Sequence, residues 1–213
     1  MTSDQNHVAR AAIVGVCRRL YERGLIAGPD GNVSMRLIDG SILVTPAGRS
    51  KIDVTPEELV LVDRDGAVLD GGTPSSELGM HLRIYQRRTD VHAVVHAHPP
   101  TATGFAVAGE GFVAPVLPEV ILQMGAVPVM RYCTPGTQEV GDALEEFLDA
   151  GHTAVLMANH GATTLGRTLN EAHQRMESVE HAARILLTAR LLGRVNELTV
   201  TETAALRRSS EGI

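Results

Sequence analysis

The sequence predicts an α/β protein: a mainly antiparallel central sheet with helices packed on its faces. Three observations predict it. Short runs of Val, Ile and Leu are separated by turn dipeptides, Asp39-Gly40 and Asp65-Gly66, as in antiparallel hairpins. Longer segments, residues 7–23 and 170–192, read as helices. No repeat or linker interrupts the 213 residues, which fit one domain with a core over about 7–193 and a tail fraying from Arg207.

Val8, Ala12, Ile13, Val16, Cys17 and Leu20 form the stripe of the first helix, and Gly24 stops it. A glycine-rich turn follows at 28–32. Residues 33–37 alternate as a strand, Asp39-Gly40 turns the chain, and 42–44 is the return strand, broken by Pro46-Ala47-Gly48. Thr55-Pro56-Glu57-Glu58 resembles a helix start but is short. Strands over 59–62 and 67–69 flank the second Asp-Gly turn. Ser75 or Ser76 is expected to cap a helix running to about Arg88, with Leu78, Leu82 and Tyr85 inward. The β-branched run before His96 favours a strand that carries His96 and His98 and ends at Pro99-Pro100. Residues 101–131 yield a short helix and a strand, 139–148 a helix, 153–158 a strand, and 170–192 the longest helix.

Composition narrows the function. Aromatic residues are 3% and Trp is absent, which argues against base-stacking platforms for nucleic acid. The formal net charge is −6 with no basic run before Arg207-Arg208, so neither nucleic acid nor an anionic membrane is an expected partner. Cys17 and Cys133 lie far apart, in no metal-type spacing, and read as small buried hydrophobes in a reducing compartment. No apolar run is long enough to span a bilayer, and the polar N-terminus lacks the build of a signal peptide. The expected setting is the cytoplasm.

The chemistry concentrates at three histidines. Side chains two residues apart on a strand share a face, so His96 and His98 reach one point in space. His160, before Gly161, ends a second apolar run. Three neutral imidazoles with a position left open is the plan of a catalytic zinc site. His92 shares their parity but lies ~13 Å from His96 along an extended strand, too far for one ion. His7, His81, His152, His173 and His181 lack such geometry. Glu77, at the start of the helix behind Pro74-Ser75-Ser76, is a candidate acid/base beside the metal. The competing account is an acidic residue that complements the helix dipole. Ser75, Ser76, Asn32 and Gly48 suggest an anion site built from a helix N-terminus and glycine turns, against plain turn and capping chemistry.

Taken together, Gly31-Asn32-Val33-Ser34, Thr45-Pro46-Ala47-Gly48, Pro74-Ser75-Ser76-Glu77, His96-Ala97-His98 and His160-Gly161 resemble, in order and spacing, the class II aldolase/adducin family, most closely its L-fuculose-phosphate aldolase-like branch. The resemblance spans about residues 7–193. It implies a three-layer α/β/α fold around a mostly antiparallel sheet, and one Zn2+ per chain held by His96, His98 and His160. It makes Glu77 the catalytic acid/base and a further zinc ligand when substrate is absent. Gly31, Asn32, Gly48, Ser75 and Ser76 would hold the substrate phosphate. It also implies a C4 homotetramer with active sites at subunit interfaces. Ala47 departs from the family's threonine, and the tail lacks the tyrosine that serves the aldehyde side; Glu119 stands near that side.

The implied reaction is zinc-dependent cleavage of a small ketose 1-phosphate, similar to L-fuculose 1-phosphate, to dihydroxyacetone phosphate and an aldehyde. The only lysine, Lys51, sits in a turn after Gly48, which favours the metal route over an imine. An imidazole site also accepts cobalt, manganese or nickel. Epimerases, dehydratases and decarboxylases on the same zinc site compete with the aldolase reading, as does a non-catalytic adducin-like scaffold. The three retained ligands disfavour the scaffold.

Overall fold

In the computed structural model, which describes residues 3–210, the first helix is α1 (Ser3–Glu22). Its Ile13, Val16, Cys17 and Leu20 are buried as the stripe requires, whereas Val8 and Ala12 are exposed. Burial pushes the Cys17 thiol up to about 12, and Cys133 is likewise buried and free. The hairpin of β1 (Asn32–Arg36) and β2 (Ile42–Val44) sets Ser34 opposite Val44. β3 (Val60–Val62) and β4 (Val68–Asp70) continue the antiparallel meander. The Thr55 segment makes only a 3-10 turn, Pro56–Glu58, whose Glu58 carboxylate accepts from the Thr55 N–H.

On its other side β1 pairs with β5 (Ala93–Ala97). β5 pairs with β8 (Gly161–Gly166), and β8 with β7 (Ala154–Met157), all antiparallel. A two-residue strand, β6 (Val129–Met130), closes the edge parallel to β7. The order is β4-β3-β2-β1-β5-β8-β7-β6, so the sheet is mixed at one edge. One face is covered by α1, α3 (Pro100–Ala108) and α6 (Leu169–Leu191), packed on Val33, Val95, Ala97 and Leu156. The other is covered by α2 (Leu78–Arg87) and α5 (Gln138–Asp149), packed on Val44, Val94, Val155 and Leu165.

Several elements differ from the expected pattern. β8 was hidden because Gly161-Ala162-Thr163-Thr164-Leu165-Gly166 is small and half polar, yet the sheet buries all six. The 101–131 stretch holds a second helix, α4 (Pro118–Gln123), beside α3 and β6. A final helix, α7 (Val200–Ser210), contacts α4 and includes the segment from Arg207 expected to fray. Reciprocal bonds start it: Thr199 N–H donates to Glu202, and Glu202 N–H donates to Thr199 Oγ1. Among the described residues no helix is long and apolar enough to cross a membrane.

Polar contacts inside the core bind α2 to β1. His81 is fully buried, with Nδ1 2.6 Å from Ser34 Oγ and Nε2 against Asn32 Oδ1. Tyr85, one turn on, sets its hydroxyl 2.8 Å from the same Ser34 Oγ. Burial pushes His81 down to about 3 and the Tyr85 phenol up, so both are neutral. Unfolded, His81 takes up a proton near 6.5. Between those values the unfolded chain binds more protons, so stability is lost as pH falls from about 6.5 toward 3. One such imidazole contributes a slope of up to about 1.4 kcal/mol per pH unit. Urea midpoints should therefore fall on acidification below about pH 6.5, and less steeply in His81→Asn. Equal pH dependence in variant and parent would refute a neutral buried His81.

Candidate metal centre and active site

The pleat of β5 brings His96 to the α2 face of the sheet, while Val95 and Ala97 enter the opposite core. His98 lies one residue beyond the strand. His160 sits in the tight turn between β7 and β8, after Asn159 in the left-handed region at φ 56°. The three ring centroids are 4.7–5.0 Å apart, and one nitrogen from each lies within 4.8 Å of the others. Two glycines permit this closeness. A Cβ on Gly161 would stand 2.5 Å from Ala97 O and 2.6 Å from His98 Cδ2. One on Gly31, whose φ is +69°, would stand 2.7 Å from His96 O.

Glu77 faces the cluster and is buried. Its Oε2 lies 3.3 Å from His96 Nε2 and its Oε1 3.6 Å from His160 Nε2. Neither serine caps α2: Glu77 itself occupies the N-cap position and makes no side-chain capping bond. Ser75 Oγ instead accepts from Glu77 N–H at 3.3 Å. Asn32 Nδ2 donates to Oε2 at 2.7 Å. A helix-dipole residue needs none of this orientation.

The donor set fits a divalent cation. His96 Nδ1 donates to Ala162 O at 3.0 Å, so Nε2 carries the lone pair and points into the cluster. Asp30 Oδ2 lies 3.5 Å from His98 Nδ1 and favours the same tautomer there. The two Nε2 atoms stand 3.2 Å apart, close enough to share one ion. Glu77 Oε1 and His160 Nδ1 are buried without a hydrogen-bond partner. Burial, then the neighbouring imidazoles His160 and His98, hold His96 well below its ordinary value. Burial likewise lowers His160, against the opposing pull of Glu77. Three imidazoles and a carboxylate gathered at one point suit zinc or a similar ion.

The three glycine and serine segments meet. Thr45 N–H donates to Val33 O at 3.0 Å, and Val33 N–H to Thr45 Oγ1 at 3.2 Å. Ser75 N–H donates to Thr45 O, Ala47 N–H to Thr73 O, and Pro46 bridges Pro74. Gly48 and Ser76 are exposed, Gly31 is half-buried, and Asn32 and Ser75 are buried. A cleft of about 390 Å³ between α2 and α5 opens beside them, bordered by Ser76, Glu77, Met80, Arg83 and Gln138. Lys51, expected in a turn after Gly48, is buried; its Nζ donates to Pro29 O and Arg49 O, both at 2.8 Å, and clamps two of the loops together.

Of the remaining histidines, His7, His92 and His181 are exposed, His152 is half-buried and His173 is buried. Glu119 is exposed in the first turn of α4. Sequence reasoning missed Ser34, His81, Asp30 and Lys51. Periodicity held a signal for two of them: Ser34 shares a strand face with Asn32, and His81 follows Glu77 by four residues on α2.

Known proteins share this architecture. The family profile described as class II aldolase and adducin N-terminal domain matches residues 11–187. The chain is 34% identical over 204 residues to a 3-oxo-tetronate 4-phosphate decarboxylase of Escherichia coli strain K12, covering 93% of this chain and 94% of that protein. It is 33% identical over 173 residues to an L-fuculose phosphate aldolase of Methanococcus maripaludis, covering 81% and 92%. A solved L-fuculose 1-phosphate aldolase superposes with a TM-score of 0.89 at 29% identity, over 99% of this chain and 98% of that one. A family match over most of the chain, with relatives aligned nearly end to end, makes this chain a member of the class II aldolase and adducin family.

Proposed function

We propose that this chain cleaves the carbon–carbon bond beside the ketone of a small phosphorylated sugar, converting a ketose 1-phosphate reversibly to dihydroxyacetone phosphate and an aldehyde. The observation that carries this reading is the buried Glu77 carboxylate set against His96 and His160 of a cluster of three imidazoles. His96, His98 and His160 would hold one zinc ion, with Glu77 as a further ligand when substrate is absent. Zinc bound there supplies Lewis acidity toward charge developing on the ketone and adjacent hydroxyl oxygens. When the bond breaks, its electron pair stays on the carbon next to the ketone as an enediolate, while the hydroxyl on the other carbon gives up its proton to solvent and becomes the aldehyde carbonyl. Glu77 delivers the proton to that carbon, and removes it in the reverse direction. Asn32 holds Oε2, so the unpartnered Oε1 is the atom that carries the proton. Gly31, Asn32, Gly48, Ser75 and Ser76 form the proposed phosphate cradle. The Asn32 amide is already engaged, which leaves Ser76 and the Gly48 turn as its exposed members.

A second reading has specific support. Loss of CO2 from a 3-oxo acid with a hydroxyl on the intervening carbon leaves the same enediolate, and needs no aldehyde pocket. The 34% identical decarboxylase and the lack of any tyrosine after Tyr132 favour it. We also propose a cytoplasmic C4 tetramer. Its interface would draw on exposed Val107, Leu187, Leu191 and Leu192.

Purified protein should contain about one zinc per chain, and His96→Ala should lose it while Glu77→Gln keeps it. Turnover in Glu77→Gln should fall roughly 10²–10⁴-fold. Equal metal content in His96→Ala and parent would remove the metal assignment.

Product analysis separates the two reactions. Dihydroxyacetone phosphate should be consumed with an aldehyde if the first reading holds. Release of CO2 from a 3-oxo acid phosphate, with no aldehyde accepted, would replace it by the second. In either case a phosphate-free substrate should react with much lower kcat/KM, and equal efficiency would rule out the cradle.

Light scattering should report four copies per particle; a monomer with full activity would discard the interface site.

A further inference from the structure

Five side chains form one buried line of hydrogen bonds that ends on Glu77. It runs from Tyr85 OH to Ser34 Oγ, to His81, to Asn32 and to Glu77 Oε2. Its direction follows from donor chemistry. A carboxylate only accepts, so the Asn32 atom beside Oε2 is the amide nitrogen. Asn32 Oδ1 then faces His81 Nε2, which must carry the ring hydrogen. His81 Nδ1 is left as an acceptor, so Ser34 donates its hydroxyl to it and accepts from Tyr85.

We propose that His81, Ser34 and Tyr85 are positioning residues: they fix one orientation of the Asn32 amide, which holds the Glu77 carboxylate against the imidazole cluster, Oε2 toward His96 and Oε1 toward His160. This rests on the role given to Glu77 above. An ordinary buried network is the competing account. The surroundings weigh against it, because the core between α2 and the sheet is otherwise mainly apolar, with Ile42, Val44, Ile84, Val94 and Leu165 packed there, and apolar side chains in place of the line would leave fewer polar groups to satisfy. The line also has a weak point that a structural role would not have. Without the Ser34 hydroxyl, His81 is free to hold its hydrogen on Nδ1. Its Nε2 then meets Asn32 Oδ1 as two acceptors. Turning the amide relieves that clash but sets Oδ1 against the Glu77 carboxylate.

The test combines a spectroscopic readout with kinetics. Imidazole ¹⁵N spectra of the metal-free and zinc-loaded chain should show His81 as the Nε2–H tautomer, its signal identified as the one lost in His81→Asn. In Ser34→Ala the tautomer should become mixed or reversed. On a ketose 1-phosphate and on a 3-oxo acid phosphate, Ser34→Ala should lower kcat about 10–100-fold, with KM and zinc content little changed. Tyr85→Phe should lower kcat less, and Ser34→Thr, which keeps the hydroxyl, should restore most of it. An Nδ1–H tautomer in the parent, or an Nε2–H tautomer with unchanged kcat in both Ser34→Ala and Tyr85→Phe, would overturn the proposal. If Ser34→Ala does not fold, the parent tautomer and Tyr85→Phe decide. Failure of the parent to turn over either substrate would count against the reaction proposed above, while the tautomers still report on the line itself.

Discussion

The register of the three central strands governs the site, because Asn32 on β1 stands opposite His96 on β5, which stands opposite Thr163 on β8. That row sets the oxygen that orients the His96 ring, since Ala162 O and Thr163 Oγ1 both reach Nδ1. It also places the Asn32 amide beside Glu77. A slip of one residue would send His96 into the core beneath α1, α3 and α6 and bring an alanine or valine to the metal side. The turns at the end of the row then supply Gly31, His98 and His160, so the cluster forms where three strand ends converge.

The two faces of the sheet carry unequal chemical loads. The α1/α3/α6 side holds most of the aliphatic burial, including Ile13, Val33, Leu156 and Met176. The α2/α5 side mixes aliphatic packing with a polar line and the buried Glu77. Such groups cost free energy unless each finds a partner. Ser34, His81, Tyr85 and Asn32 all do. Two of the buried polar atoms without a partner, Glu77 Oε1 and His160 Nδ1, lie on residues at the histidine cluster.

Much of this was legible in the chain itself. Strand periodicity and Asp-Gly turns located the hairpins, and the i, i+2 histidines located two members of the histidine cluster that could hold a metal. What stayed hidden depends on partners distant in sequence. β8 has few large apolar residues and is a strand because β5 and β7 flank it. The first turn of α2 looked like serine capping, yet the carboxylate of its N-cap residue is drawn to imidazoles contributed by other strands. His81 resembled any polar helix residue until Ser34 and Asn32 met it across 47 and 49 positions of chain.

The burial of Lys51 reaches beyond the loops it clamps. It is the only lysine in the sequence, and it is 2% exposed. The cationic side chains at the surface are therefore guanidinium groups, which hydrogen-bond through a planar fork and keep their charge at any ordinary pH. An acylating agent or crosslinker that seeks side-chain amines finds none there, and lysine-directed modification of the folded chain has no accessible target. Its one ammonium becomes reachable only when the loops around Pro29 and Arg49 part, so its reactivity serves as a gauge of local opening beside the histidine cluster.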